Sequence, residues 1–200
     1  MVFLRSGLNT DLAVTLCEED IILRLPQASD YAPWAELRSQ SRDFLVPWEP
    51  KWSRNELSKS AYRQRLRHYM KNVKDGCGYA FFIFKKSDDS FIGGININNI
   101  RRGVTQSCSV GYWIGVPYAN QGYMTKGLNR VIHFVFDSLK LHRLEAACLP
   151  ENKASIRLLE KKGFRVEGLA RQYLFINGLW QDHILYALLE EDLKGINKIA

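Results

Sequence analysis

The sequence lacks the features that mark several large classes of protein. Its four cysteines, Cys17, Cys77, Cys108 and Cys148, are far apart and form neither a C-x-x-C pair nor a cluster with histidine. Neither a disulfide framework nor a zinc site is therefore predicted. The strongest apolar run, YAFFIF at 79–84, is far shorter than the ~20 residues that cross a bilayer, and the first residues lack a secretory signal pattern. We expect a soluble, cytoplasmic protein without a metal ion and without membrane contact.

Repeats, low-complexity tracts and Gly/Ser linkers are also absent, which favours a single domain. The chain has 200 residues, of which 46% are hydrophobic and 12% are aromatic. This composition is sufficient for the buried core of one globular domain.

Short apolar runs and turn residues predict an order of strands and helices. Strands are expected over 21–25, 79–84, 91–97, 107–115, 143–149, 171–176 and 179–189, the last two joined by the hairpin dipeptide Asn177-Gly178. Helices are expected over 31–40, over the basic stretch Lys59 to Lys74, after Gly122 and over 150–164. This order predicts an α/β sheet of about seven strands, parallel in its middle where the long helix crosses over.

Positive charge is concentrated in one part of the chain. The formal net charge is +7, and the segment from Lys51 to Asp75 contains eight Lys/Arg residues against two Asp/Glu. Within it, apolar residues recur at helical spacing, while basic residues recur on another face. The basic face is either simply solvated or a surface that meets an acidic partner such as ribosomal RNA.

The stretch WIGVPYANQGYMTKG, from Trp113 to Gly127, changes from a strand pattern through a turn to a helix pattern. A helix start at Gly122 presents unpaired backbone N–H groups and a partial positive charge, which suit a phosphate group. The stretch matches neither G-x-x-x-x-G-K-[ST] nor G-x-G-x-x-G, so neither NTP hydrolysis nor Rossmann-type dinucleotide binding is indicated. Taken alone, the glycine is also consistent with simple helix punctuation.

Three ordered motifs carry a resemblance to a known family. They are VGYWIGVPYANQGYMTKGL, LHRLEAACLPENKASIRLLEKKGFRVEGLAR and YLFINGLWQDHILYALLEED. Together they resemble the GNAT superfamily of acetyl-CoA-dependent N-acetyltransferases, and within it the RimJ/RimL type that includes ribosomal-protein-alanine acetyltransferases. The resemblance implies the α/β (α+β) GNAT fold, with a mixed, mostly antiparallel sheet, a central parallel pair and helices on both faces. It also implies an N-terminal extension at 1–20, the acetyltransferase domain at 21–192 and a C-terminal tail at 193–200.

The resemblance further implies that acetyl-CoA is the cosubstrate and that main-chain groups bind most of it. Backbone groups of Ile114, Gly115 and Val116 would pair with the pantetheine arm like an added strand. The pyrophosphate would lie on the N–H groups of five consecutive residues, Gln121, Gly122, Tyr123, Met124 and Thr125. In the family's Q/R-x-x-G-x-G/A loop only the central glycine is matched, because Ala119 and Met124 replace the usual residues. Binding would therefore depend on the main chain, and Lys126 would make the helix start more positive.

The second motif places Asn152 and Ser155 at a helix start, where they match the family's Asn and Ser that face the cofactor. By this resemblance, Asn152 would hydrogen-bond the pantetheine or position the acceptor, and Ser155 would donate a proton to the departing CoA thiolate or hold the thiol in place. The alternative is that both residues only cap their helix. Cys148 is expected to be a small buried residue and not a nucleophile, since the family transfers the acetyl group directly.

A base that neutralises the acceptor amine is harder to find. The position where some RimL-type relatives carry a glutamate is Leu174 here. The remaining candidates are Glu145 and His183, the latter because imidazole titrates near neutral pH. The alternatives are a surface or paired carboxylate for Glu145 and a hydrogen-bonded structural imidazole for His183.

The implied function is acetyl transfer to a primary amine, first of all to the N-terminal α-amine of a protein such as a ribosomal protein. An α-amine with a pKa of ~7.7–8 is already ~10–20% neutral at pH 7, whereas a lysine amine is neutral at well under ~0.1%. The alternatives are a small-molecule amine or amino acid as acceptor, or a degenerate GNAT domain that senses cofactor or binds RNA or the ribosome through Lys59 to Lys74. Both a monomer and a homodimer are compatible with the sequence.

Overall fold

The structure, a computed structural model, describes residues 14–196. Its strands are β1 Thr15–Glu18, β2 Ile21–Arg24, β3 Tyr79–Lys85, β4 Phe91–Arg101, β5 Ser107–Ile114, β6 Arg143–Cys148, β7 Arg165–Ile176 and β8 Leu179–Leu189. Its helices are α1 Tyr31–Gln40, α2 Arg42–Leu45, α3 Lys59–Lys74, α4 Tyr123–His133, α5 Lys153–Lys161 and α6 Glu190–Ile196. Single 3₁₀ turns lie at Ala28–Asp30, Val46–Trp48 and Val116–Tyr118, and α4 continues into a π-helical turn at Phe134–Ser138.

The strands form one mixed sheet in the order β1-β2-β3-β4-β5-β6-β8-β7. Every neighbouring pair is antiparallel except β5 and β6, which are parallel. The predicted fold class and the central parallel pair are confirmed. The sheet has eight strands where about seven were expected, because β1 lies within the stretch 1–20 that was assigned to an N-terminal extension and pairs with β2.

Helices cover both faces of the sheet, because alternate residues of its strands are apolar on both sides. Phe81 of β3 belongs to the larger core, together with Leu128 of α4. The next residue, Phe82, belongs to a smaller core on the opposite face, with Trp34 of α1 and Tyr62 of α3. A strand buried on both faces has the continuous apolar sequence seen in YAFFIF.

The parallel pair separates soon after it begins. Strands β5 and β6 are paired only at Ser107↔Arg143, Cys108↔Leu144 and Ser109↔Glu145. Beyond these positions β5 continues to Ile114 and β6 continues to Cys148 without further pairing between them. The sheet therefore has a gap in its middle, beside main-chain groups that have no partner strand.

Candidate active site

Two cavities meet at this gap between β5 and β6. The larger, about 320 Å³, lies between the end of β5 and the starts of α4 and α5. The smaller, about 180 Å³, extends from the gap towards β7 and β8. Four residues line both cavities: Trp48, Tyr112, Asn152 and Ser155. The junction of the cavities is therefore the place where groups bound in the two can come together.

The start of α4 forms one wall of the larger cavity. Gly122 is the N-cap residue with φ +85°, a left-handed conformation that favours glycine, and no side chain caps the helix. Within residues 14–196, the N–H groups of residues 121–125 have no hydrogen-bond acceptor, and the first turn contains no acidic residue. Free N–H groups with the positive end of the helix dipole favour a bound anion.

Lys126 does not add the extra positive charge that the sequence suggested for this helix start. Its Nζ lies 2.8 Å from a carboxylate oxygen of Asp20 and 3.0 Å from one of Glu19. The hydrogen bond to Asp20, followed by that to Glu19, raises the pKa of Lys126. The charge of Lys126 is thus offset by two carboxylates on the β1–β2 turn, and the main chain remains the source of positive potential.

The end of β5 presents fewer free main-chain groups than the sequence suggested. The Gly115 N–H donates to Ile92 O at 2.9 Å, and the Val116 N–H donates to Ser41 Oγ at 2.9 Å. Because the N–H groups of successive strand residues point to opposite sides, that of Ile114 points away from β4 and into the gap. Of the three residues expected to pair with pantetheine, only Ile114 therefore has an N–H group without a protein acceptor in the described chain.

Close packing fixes this part of β5. A Cβ atom on Gly115 would lie 2.3 Å from Leu37 Cδ1 of α1, so any larger residue would force the Leu37 side chain to move. Helix α1 thus packs closely against the end of β5, next to Ile114.

Asn152 and Ser155 meet at the start of α5, and Tyr112 joins them from β5. The Ser155 N–H donates to Asn152 Oδ1 at 3.1 Å, so Asn152 does cap the helix, as the purely structural alternative requires. The hydroxyls of Ser155 and Tyr112 are 2.7 Å apart. Burial raises the pKa of Tyr112, partly opposed by its hydrogen bond to Ser155, so the phenol keeps its proton at neutral pH.

The structure brings one of the two candidate bases to the cavities. His183 of β8 lines the smaller cavity together with Ser155, Leu174 and the buried Cys148. Glu145 does not line either cavity, and its carboxylate accepts from Arg101 and Arg143, each at 2.9 Å. Glu145 therefore has the environment of a paired surface carboxylate.

The end of α2 and the connection that follows it form a wall that the sequence did not reveal. Phe44, Leu45, Trp48 and Glu49 line the larger cavity. The Glu49 carboxylate accepts from the guanidinium of Arg38 and, at 2.7 Å, from Trp52 Nε1. We call residues 44–52 the strap. Its two prolines, Pro47 and Pro50, are a local signal in the sequence, and they indicate only a break between helices.

Two kinds of site are not found in the described residues. No group of three or more His, Cys, Asp or Glu among residues 14–196 is placed to hold a metal ion. In the same part of the chain, no helix has the length and apolar character needed to cross a membrane.

A helix start with free N–H groups, beside a splayed parallel pair and joined to a second cavity, has the architecture of a group transferase with an anionic donor. A family model described as an acetyltransferase (GNAT) domain matches residues 20–165, and the chain belongs to this family. The [ribosomal protein uS5]-alanine N-acetyltransferase of Escherichia coli (strain K12) is 34% identical over 179 residues, which cover 90% of this chain and 92% of that protein. The probable N-acetyltransferase YjcK of Bacillus subtilis (strain 168) is 35% identical over 172 residues, with 86% and 95% covered.

Solved structures agree with this assignment. A ribosomal-protein-S5-alanine acetyltransferase from Vibrio fischeri superposes with a TM-score of 0.82 at 34% identity, covering 90% of this chain and 98% of that one. Mycobacterium smegmatis RimJ, in complex with CoA-disulfide, gives a TM-score of 0.83 at 29% identity, with 90% and 88% covered. The resemblance to the RimJ/RimL type is confirmed, and the chain is an N-acetyltransferase that uses acetyl-CoA as its donor.

Proposed function

We propose that the protein transfers the acetyl group of acetyl-CoA to the N-terminal α-amine of a ribosomal protein in the cytoplasm. The observation that carries this proposal is the junction of the two cavities at Ser155 and Tyr112. One cavity has the free helix N–H groups that suit the donor, and the other offers a separate approach for the acceptor. The Escherichia coli relative that acts on an alanine of ribosomal protein uS5 supports this class of acceptor.

The residues around the larger cavity fit acetyl-CoA. The free N–H groups of residues 121–125 would hold the pyrophosphate, and the main chain of Ile114 would pair with the pantetheine arm. Asn152 uses its Oδ1 atom as a cap, and its side-chain amide N–H groups have no acceptor within the described residues. Those N–H groups are available to a carbonyl of the pantetheine.

Ser155 and Tyr112 would serve the sulfur end of the donor. When bound, acetyl-CoA supplies the acetyl group as a thioester, and its sulfur needs a proton as the C–S bond breaks. Tyr112 is a protonated donor 2.7 Å from Ser155 Oγ. The pair can therefore pass a proton towards the junction, with Ser155 as the residue that contacts the sulfur.

The smaller cavity favours an α-amine over a polyamine or a lysine. None of its described lining residues is Asp, Glu, Lys or Arg, so it offers no carboxylate to bind a second ammonium group. An α-amine is also partly neutral at pH 7, whereas a lysine amine is not. A short, uncharged N-terminal residue therefore suits this cavity.

An acceptor panel tests the proposed function. Purified protein and acetyl-CoA are incubated with a peptide that has a free N-terminal alanine and an internal lysine, and mass spectrometry locates the acetyl group. The matched control is the same peptide with its N-terminus blocked, alongside free alanine and spermidine. We expect modification of the α-amine of the unblocked peptide alone. Turnover of the blocked peptide, of free alanine or of spermidine that is as fast as this or faster would contradict the proposal.

We also propose that α3 contacts ribosomal RNA near the acceptor. Its exposed basic residues recur every three or four positions and so form one stripe: Lys59, Arg63, Arg67, Lys71 and Lys74. Lys71 pairs with Asp75, whereas the other four have no ion pair among the described residues. Uncompensated charge in a row along one helix suits a phosphate backbone.

Charge reversal tests the RNA contact. Arg63→Glu with Arg67→Glu should weaken binding to a ribosomal RNA fragment. It should also make the slope of the logarithm of the binding constant against the logarithm of the salt concentration shallower by about two, since this slope falls by ~0.9 for each phosphate that the protein no longer neutralises. Lys140→Glu with Lys161→Glu, which makes the same charge change at exposed positions elsewhere, is the control. An equal loss of affinity in both variants would show only a general charge effect and would refute a contact through α3.

A further inference from the structure

Three titratable side chains line the smaller cavity in the described part of the chain: Tyr112, Cys148 and His183. Burial raises the pKa of Tyr112 and that of the Cys148 thiol, in each case opposed in part by Ser155. Both groups therefore hold their protons at neutral pH and can only donate. His183 is left as the one lining group that can accept a proton there.

The surroundings of His183 fix which of its ring nitrogens is free. The side chain is only 3% exposed, and its Nδ1 lies 3.0 Å from the carbonyl oxygen of Gln181. A carbonyl can only accept, so Nδ1 carries the hydrogen and Nε2 of the neutral ring has the lone pair. The ring of Tyr173 contacts the imidazole edge to face, with the centroids 5.9 Å apart, and so holds its orientation.

The Nε2 atom has access to the cavity. It has no hydrogen-bond partner among the described residues. The fully buried side-chain atoms without a partner are Arg38 Nε, Arg65 Nε and Ser107 Oγ, and His183 Nε2 is not among them, so Nε2 is accessible. An accessible, unpaired Nε2 on a residue that lines the cavity opens onto that cavity.

Other charged groups of the described chain lie close to the cavities, but each is placed differently from His183. Glu160 of α5 is near enough for its charge to act on Cys148, yet it lines neither cavity. Asp182, the neighbour of His183 in β8, accepts from the Gln172 N–H at 2.8 Å, and the carboxylate of Glu49 is held by Arg38 and Trp52. Lys153 lines the larger cavity, and its ammonium donates to Pro150 O at 2.9 Å.

We propose that His183 is the catalytic base that takes a proton from the acceptor's ammonium group through Nε2. This inference rests on the proposed acetyl transfer to an α-amine. The freed nitrogen lone pair forms the C–N bond, the C–S bond breaks, and its electron pair stays on sulfur. Tyr112, through Ser155, gives one proton to the sulfur. The second proton, which the nitrogen loses once the C–N bond has formed, returns to the Tyr112–Ser155 pair, and His183 releases the first proton to water.

The test compares His183→Gln with the wild-type protein from pH 7 to pH 9, using a peptide with a free N-terminal alanine. Without the base, only the amine that is already neutral reacts, which is ~10–20% of it at pH 7 and most of it at pH 9. We expect kcat/KM to fall about 5- to 10-fold at pH 7 and less than about 2-fold at pH 9, with unchanged affinity for acetyl-CoA. His183→Phe keeps the ring contact with Tyr173 and should show the same pH pattern, and His133→Gln on the partly exposed side of α4 should show no change.

A merely structural role predicts a different result. If His183 only supported the hairpin, the deficit would be the same at every pH, and that result, or no deficit, would overturn the inference while leaving the proposed function intact. If the wild-type protein bound acetyl-CoA but modified no α-amine, the proposed function would fail first, and this inference with it.

Discussion

At the scale of single residues, the proposed binding of acetyl-CoA in the larger cavity depends on the conformation of one glycine. Gly122 has φ +85°, and nothing lies within 4 Å of the place where its Cβ would be. The space is open because it faces the cavity beside the free N–H groups of α4. A side chain at this position would enter the region assigned to the pyrophosphate.

Gly122→Asp should abolish acetyl-CoA binding, because it places a carboxylate beside the helix start, where the phosphates would lie. Isothermal titration with acetyl-CoA measures the change in affinity. The matched control is Gly103→Asp, since Gly103 has φ +70° and also has nothing within 4 Å of its Cβ position, but does not line either cavity. Both variants have similar backbone strain, so normal affinity in Gly122→Asp, or an equal decrease in both, would refute the assignment.

What the sequence reveals at this scale depends on how local the signal is. Gly122, Asn152 and Ser155 stand at helix starts, where spacing along the chain identifies them. Tyr112 was missed because its partner Ser155 is 43 residues away, and only the fold brings the hydroxyls within 2.7 Å. Lys126 was misread for the same reason, since the carboxylates that offset its charge lie on the turn between the first two strands.

At the scale of elements, the strap is held against the body of the protein by a buried ion pair. The Arg38 side chain is 6% exposed and that of Glu49 is 20% exposed. The Asn177 N–H also donates to Glu49 O at 2.9 Å, which links the strap to the β7–β8 hairpin. Trp48, which lines both cavities, precedes Glu49 in the chain, so the ion pair of Glu49 with Arg38 positions a wall of each cavity.

Glu49→Ala should lower the free energy of unfolding by about 3 kcal/mol, because it leaves the charge of Arg38 buried without its partner. It should also raise KM for the acceptor peptide, since Trp48 loses its support. Urea unfolding and steady-state kinetics measure the two effects. Glu145→Ala removes the partly exposed carboxylate that pairs with Arg101 and Arg143; it should cost less than about 1 kcal/mol and leave KM unchanged. A similar small cost in both variants would contradict the positioning role.

Helices with a local signal in the sequence, such as a capping residue before α1 or a periodic pattern in α3, were predicted well, whereas elements stabilised by distant partners were not. The bounds of α1 and α3 match the predicted helices at 31–40 and at Lys59 to Lys74. Strand β1 has only four residues, which is too short for alternation to be read, and it is ordered by pairing with β2. The strap has no periodicity, and its place depends on Arg38 of another element.

At the scale of the whole molecule, the sheet leaves main-chain N–H groups unpaired in its middle, where β5 and β6 separate. Strand β5 is paired with β4 along most of its length but is paired with β6 at only three positions. The order of elements predicted the parallel pair but not the length of its ladder, which is only three residue pairs. The free groups at Ile114 and at residues 121–125 are thus a property of the fold, and a measurement on every amide at once can test them.

Acetyl-CoA at 100 times its Kd should slow hydrogen exchange by up to about 100-fold at amides that gain an acceptor in the complex. We expect this at Ile114 and at residues 121–125, whose N–H groups have no acceptor in the described protein. Gly115 and Val116 should change little, because their N–H groups already donate to Ile92 O and Ser41 Oγ. The Gly122→Asp variant at the same acetyl-CoA concentration is the control and should show no protection. New protection at Gly115 and Val116, with none at residues 121–125, would mean that acetyl-CoA lies along the strand and not on the helix start. That result would refute the assignment of the pyrophosphate to residues 121–125.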